Sequence, residues 1–168
     1  MAQLHSIFRS QLEFDTQRYL FDYWQTKCNN GKLPSRQDIS PAGFAKVLSM
    51  ISLVDVHEKD GSRQYSYRLA GTGLRNHYQQ EITGKTFEQI NKLEVCEHWN
   101  EVFDEIVMSK KPSNGLFQED SNPGNIAHFW LRLPLVNQSG QVNMVLCYDI
   151  FAPLSASFLQ RGKLATIA

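Results

Sequence analysis

A β-patterned run, Tyr65-Ser66-Tyr67-Arg68-Leu69-Ala70, stops at the glycine turn Gly71-Thr72-Gly73. A second glycine punctuation follows at Ile82-Thr83-Gly84-Lys85-Thr86-Phe87, before another helix begins. Just upstream, Asp60-Gly61 is the strongest two-residue hairpin signal in the chain, since such turns need positive φ at both central residues. Residues 50–57 and 63–70 therefore read as an antiparallel strand pair. A second pair is expected over 126–136 and 142–151 around Ser139-Gly140, with a weaker strand near Leu116-Phe117.

Helical periodicity appears at three places. Asp15 or Thr16 can cap a helix carrying Tyr19, Leu20, Tyr23 and Trp24 on one face and ending at Asn29-Asn30-Gly31. Leu4, Phe8 and Leu12 fit either the same helix or a separate leading one. Ser40-Pro41 reads as N-cap and first residue of a short helix through Leu48. Residues 94–109 place Val95, Trp99, Val102, Phe103 and Ile106 at helical spacing and stop before Pro112.

The hairpin turns predict register. With a two-residue loop, Lys59 pairs with Ser62 and Asp55 falls opposite Ser66, so Val54, Val56, Tyr65, Tyr67 and Leu69 share one face. Leu53, Asp55 and Arg68 share the other. Treating Ser139-Gly140 likewise groups Phe129, Leu131, Leu133, Met144, Leu146, Tyr148 and Ile150, with Trp130, Arg132, Cys147 and Asp149 opposite. Each hairpin then has an apolar face and a mixed face bearing a diagonal pair, Asp55 with Arg68 and Arg132 with Asp149. The apolar faces are expected to pack on the helices after residue 72. The mixed faces, with Leu53, Trp130 and Phe151, are expected to lie under the N-terminal helix. Arg36 and Asp38 are expected to orient the loop into the second helix.

Composition narrows function. Lys+Arg 17 equals Asp+Glu 17 over 168 residues, which leaves no electrostatic footprint for nucleic acid or an anionic membrane. No apolar run approaches the roughly 20 residues of a membrane span, and the start has neither the basic nor the apolar part of a signal peptide. Cys28, Cys96 and Cys147 are odd in number and far apart, as suits reduced thiols in a cytoplasm. The Asn137-Gln138-Ser139 sequon is then without consequence.

Candidate motifs weigh against catalysis. Gly71-x-Gly73-x-x-Asn76 lacks the third glycine of a dinucleotide fingerprint and has no parallel βαβ unit around it, so turn glycines are the better reading. Gly84-Lys85-Thr86 lacks its partner glycine, Gln79 standing in that place. His5, His57, His77, His98 and His128 show no metal-ligand spacing. Glu94, Glu97, Glu101, Asp104 and Glu105 make a charged, solvated helix face. No GxSxG or HExxH string is present.

The chain resembles the PAS superfamily, in particular its small stand-alone bacterial members. The matching residues are Tyr23-Trp24, Leu33-Pro34-Ser35-Arg36-Gln37-Asp38-Ile39-Ser40-Pro41 and Leu53-Val54-Asp55-Val56. They continue in Tyr67-Arg68-Leu69-Ala70-Gly71-Thr72, Thr83-Gly84-Lys85 and Leu133-Pro134-Leu135. The resemblance implies an α+β fold with a five-stranded antiparallel sheet, helices on one face and an N-terminal helix covering the other. One domain is expected over 1–168, with a helical extension at 1–30 and a PAS core at about 45–155. The cysteine-centred flavin motif of photosensing relatives is absent. Some PAS haem sensors use a histidine on the long helix, the place of His98, although a solvated surface histidine is the simpler account of it.

The expected function is a non-enzymatic cytoplasmic sensor that binds a small ligand or a protein partner and signals in trans, since no output module follows Ala168. Tyr67 and Tyr148 are candidate polar handles of the ligand pocket, with Trp99 and Phe129 as its walls. The alternatives are a ligand-free homodimer joined through the N-terminal helix, and a haem- or flavin-binding sensor. The downstream partner would be an unidentified signalling protein.

Overall fold

The computed structural model describes residues 2–29, 31–118 and 126–153. A separate leading helix α1 (Ala2–Gln11) precedes α2 (Asp15–Lys27), and two short 3-10 segments follow at Arg36–Asp38 and Pro41–Met50. Strands β1 (Ile51–Lys59) and β2 (Ser62–Ala70) come next, then helices α3 (Thr72–Tyr78), α4 (Phe87–Ile90) and α5 (Leu93–Ser109). The chain returns through β3 (Ser113–Phe117), β4 (Ile126–Val136) and β5 (Val142–Pro153). The result is a five-stranded antiparallel sheet in the order β2-β1-β5-β4-β3, with helices on both faces.

The start of α2 is set differently from the expected Asp15 or Thr16 cap. Phe14 stands at the N-cap, and the buried Gln17 turns its Oε1 back to accept from the Glu13 and Phe14 amides at 3.1 and 3.2 Å. Arg36 and Asp38 also work separately. Asp38 accepts from the Ser35 amide and hydroxyl, while Arg36 donates to the Ile39 carbonyl.

Asp60 and Gly61 both take positive φ, 53° and 79°, and the first hairpin has the predicted Lys59–Ser62 and Asp55–Ser66 pairs. A bulge between Leu53 and Val54 leaves Arg68 as an extra residue, so Leu69 pairs with Leu53 and joins its face, not that of Tyr67. The second hairpin turns through Gln138, Ser139 and Gly140, one residue more than expected, closed by the Asn137 amide on the Gln141 carbonyl. A compensating bulge between Leu135 and Val136 restores the register, and Leu133–Leu146 and Leu131–Tyr148 pair as predicted.

The joint between hairpins overturns one expectation. β1 pairs with β5 through Leu53–Leu146 and Val54–Val145, so the two apolar strand faces lie on opposite sides of the sheet. Leu131, Leu133, Leu135, Met144, Leu146 and Tyr148 pack with Leu53 under α2, against Leu20, Phe21 and Trp24. Trp130 and Cys147 pack with Val54 and Tyr65 under α5, against Trp99, Phe103 and Ile106. The mixed face of the second hairpin is therefore covered by the helices after residue 72.

Gly71 and Gly73 are small because α3 starts against the end of the 3-10 segment. A Cβ on Gly71 would sit 2.5 Å from the Leu48 carbonyl oxygen, and one on Gly73 would sit 2.8 Å from that of Ser49. Gly84-Lys85-Thr86 closes the outer edge of β2: Tyr67 N donates to Lys85 O at 2.9 Å and Gly84 N to Tyr67 O at 2.6 Å. Both glycine motifs thus serve packing and edge protection.

Candidate functional site

Period-two alternation on β4 puts His128, Trp130 and Arg132 on the inner face, and β5 places Asp149 directly opposite Trp130. Asp149 therefore sits diagonally between His128 and Arg132. Its Oδ1 lies 2.6 Å from His128 Nε2 and 2.6 Å from Arg132 Nη2. The Arg132 and Asp149 side chains are only 5% and 7% exposed, so this is a buried ion pair with a histidine attached. Arg132 Nη1 also donates to the Leu131 and Tyr148 carbonyls at 3.2 and 3.3 Å. Its guanidinium carbon stands 5.0 Å from the Trp99 ring centroid and 5.6 Å from that of Trp130.

Burial alone would raise the Asp149 carboxyl, but Arg132 and His128 outweigh it and hold it below the ordinary carboxylate range. Burial opposes the Arg132 charge too, and Asp149 more than restores it. His128 is pushed below its usual value, by burial first, because Arg132 already balances Asp149 and a second positive charge would stand uncompensated.

Aromatic rings close the network in. His128 stacks on Phe151 at 4.4 Å and tilts against Trp99 at 5.0 Å, and Phe151 also stacks on His77. His98, on α5, stacks on Phe117 at 4.5 Å and stands edge-on to Trp99. Tyr67 and Tyr78 stand beside Arg132 and Asp149, and burial pushes the Tyr78 phenol up to about 12. Three polar atoms in this shell are closed to solvent and without a partner among the described residues: Arg132 Nε, Trp130 Nε1 and His98 Nε2. Buried polar atoms are nearly always paired, and each one left alone costs about 1–3 kcal/mol.

The four expected ligand residues do not form one pocket. Tyr67 and Trp99 face the network, whereas Phe129 and Tyr148 lie on the outer face, Phe129 against Phe14 at 5.0 Å and Tyr148 in the cluster beneath α2. His98 is half-buried and its Nε2 is closed off, so it is not a solvated surface histidine, and an iron could reach that nitrogen only by displacing what covers it. Arg132 and Asp149 do pair, but under α5, not the N-terminal helix. Asp55 and Arg68 also pair, at 2.8 Å, with the guanidinium 56% exposed where a covered pair was expected. His128 and Tyr78 carried no expectation, although the His128-x-Trp130-x-Arg132 alternation opposite Asp149 was there to read. Among the described residues no group of His, Cys, Asp and Glu is disposed to hold a metal, and no helix is long and apolar enough to cross a membrane.

A β2-β1-β5-β4-β3 sheet with short helices between β2 and a long α5 defines an α+β module. A comparison with protein families matches the PAS domain over residues 12–148, and the chain belongs to that family. PAS domains are sensory and signalling modules. Comparison with curated proteins finds no match. Among solved structures the chain is similar to an RNA-binding Light-Oxygen-Voltage receptor, at 14% identity and a TM-score of 0.42, over 73% of this chain and 36% of that one.

Proposed function

We propose that this protein is a non-catalytic signalling domain that holds a small polar ligand between the inner sheet face and α3–α5, and reports its presence to a protein partner in trans. What carries the reading is the set of orphaned atoms, Arg132 Nε, Trp130 Nε1 and His98 Nε2, arranged around a buried charged network. A ligand presenting acceptors to Arg132 Nε and Trp130 Nε1 would supply two of the three missing partners. Tyr67 and Tyr78 stand beside the same charges and would fix its orientation. Of the expected pocket, Tyr67 and Trp99 remain in this proposal.

The test is solvent extraction of purified protein followed by mass spectrometry. The expected result is a compound in near-stoichiometric amount, lost from Trp130→Phe and Tyr67→Phe while the melting of the emptied protein stays unchanged. No compound, or equal amounts in all three proteins, would overturn the ligand reading. A homodimer formed through the N-terminal helices is the second reading, favoured by Ile7, which is 53% exposed on α1. Light scattering across a dilution series decides it: a constant monomer mass rejects the dimer.

A further inference from the structure

At the β4–β5 turn end of the sheet, clear of the charged network, a cleft of about 940 Å³ opens between α1 and the end of α5. Its size falls within the range of small-molecule sites, about 300–1,000 Å³. Ile7 and Phe8 form the roof, Trp24 and Leu33 the floor, and the end of α5 with the β4–β5 turn the far wall.

The walls are fastened independently of any occupant. Val136 N donates to Pro34 O at 2.9 Å, Trp24 Nε1 to Pro134 O at 3.2 Å, and Lys110 Nζ to Gly140 O at 2.6 Å. The roof is held more lightly, by Phe8 on Phe21 at 4.9 Å and by the half-exposed Arg9–Asp22 pair.

Charge sets the character of the opening. Lys32, Lys110 and Lys111 all line the cleft, and the one acid there among the described residues, Asp38, is committed to Ser35. Lys32 and Lys111 form no ion pair among the described residues. An apolar interior with unpaired ammonium groups at its rim complements a molecule with an apolar body and a negative head.

We propose that this cleft binds a small amphipathic carboxylate, its apolar body against Phe8, Trp24 and Leu33 and its carboxylate at Lys32 and Lys111. The occupant bears directly on α1, so filling the cleft alters how the N-terminal helix sits. This site is separate from the inner-face network and does not depend on it.

Sodium decanoate, decanol and decylamine serve as probes, titrated into the full chain and followed by amide chemical shifts. Saturable decanoate binding is expected, with shifts at Leu33, Lys111 and Gly140 and none at Arg132 or Asp149. Decanol and decylamine should bind more weakly. Because Lys110 also fastens the β4–β5 turn, the variant is Lys32→Gln with Lys111→Gln, which should weaken decanoate about tenfold and leave decanol unchanged. No saturable binding, shifts confined to the inner face, or equal affinity for decanoate and decanol would each overturn the site. Loss of inner-face ligand in Trp130→Phe leaves this result untouched, so the two readings fail separately.

Discussion

Arg68 and Arg132 make the same contact, a guanidinium on a cross-strand carboxylate, in opposite surroundings. Arg68 is 56% exposed and water competes for its guanidinium, although Asp55 is only 13% exposed, so Arg68→Ala should cost less than about 1 kcal/mol in a denaturant melt. Arg132 is sealed under Trp99 and Trp130, and Arg132→Leu leaves Asp149 charged and buried, a loss of about 3–5 kcal/mol. The same melts on Asp149→Leu and the double variant should show strong coupling, the pair costing less than the sum. Additive losses would mean that the two charges do not depend on each other. The histidines give the network a pH dependence. Burial, the largest cause in each case, lowers both His98 and His128 below the ordinary value, so the unfolded chain takes up protons first as pH falls. Their contribution is therefore whole above the unfolded value of about 6.5 and is lost as pH drops through it. The thermal midpoint should fall between about pH 7.5 and 5.5, and His128→Gln should flatten that slope. A His128→Gln profile parallel to the parent's would show that His128 takes its proton equally well folded and unfolded.

At the level of elements, local chemistry was legible and the joints between elements were not. Asp60-Gly61 dictated its turn and register because both residues must adopt positive φ, and they do. The second hairpin came out in register because a longer turn and a bulge at Leu135–Val136 cancel, a coincidence that alternation cannot reveal. The bulge at Arg68 moved Leu69 across the sheet for the same reason. Which hairpin face meets which helix depends on Leu53 pairing with Leu146, a contact across more than ninety residues that no local pattern encodes. Arg132 and Asp149 compounded the difficulty, since charged residues in an alternating strand ordinarily mark the wet face. The glycine turn was correctly read as structural, and its reason is now concrete. Gly71→Ala should cost about 1–3 kcal/mol by forcing α3 away from the Leu48 and Ser49 carbonyls. A Gly71→Ala protein that melts with the parent would mean that the 3-10 segment yields freely there.

Across the whole molecule, two cores share one sheet, and the N-terminal helices complete only the outer one. Leu20, Phe21 and Trp24 are each at most 1% exposed, and beneath them lie Leu131, Leu133, Leu135, Met144, Leu146 and Tyr148. Removing residues 1–30 would bare that row as a continuous apolar strip. The surface uncovered differs from the one the strand pattern suggested, for Trp130 stays under α5 and only Leu53 belongs to both. The inner core keeps its own cover in Trp99, Phe103 and Ile106 and its own charged network. The truncated protein is therefore expected to retain the inner-face packing around Trp99 and Trp130, read as near-ultraviolet circular dichroism, while self-associating through the bared strip, read by light scattering. Replacing Leu133 and Leu146, which pair across β4 and β5, with threonine in the truncated chain should reduce that association by removing apolar area without disturbing the strands. A truncation that stays monomeric, or one that loses its near-ultraviolet signal before associating, would show that the two cores do not stand independently on the sheet.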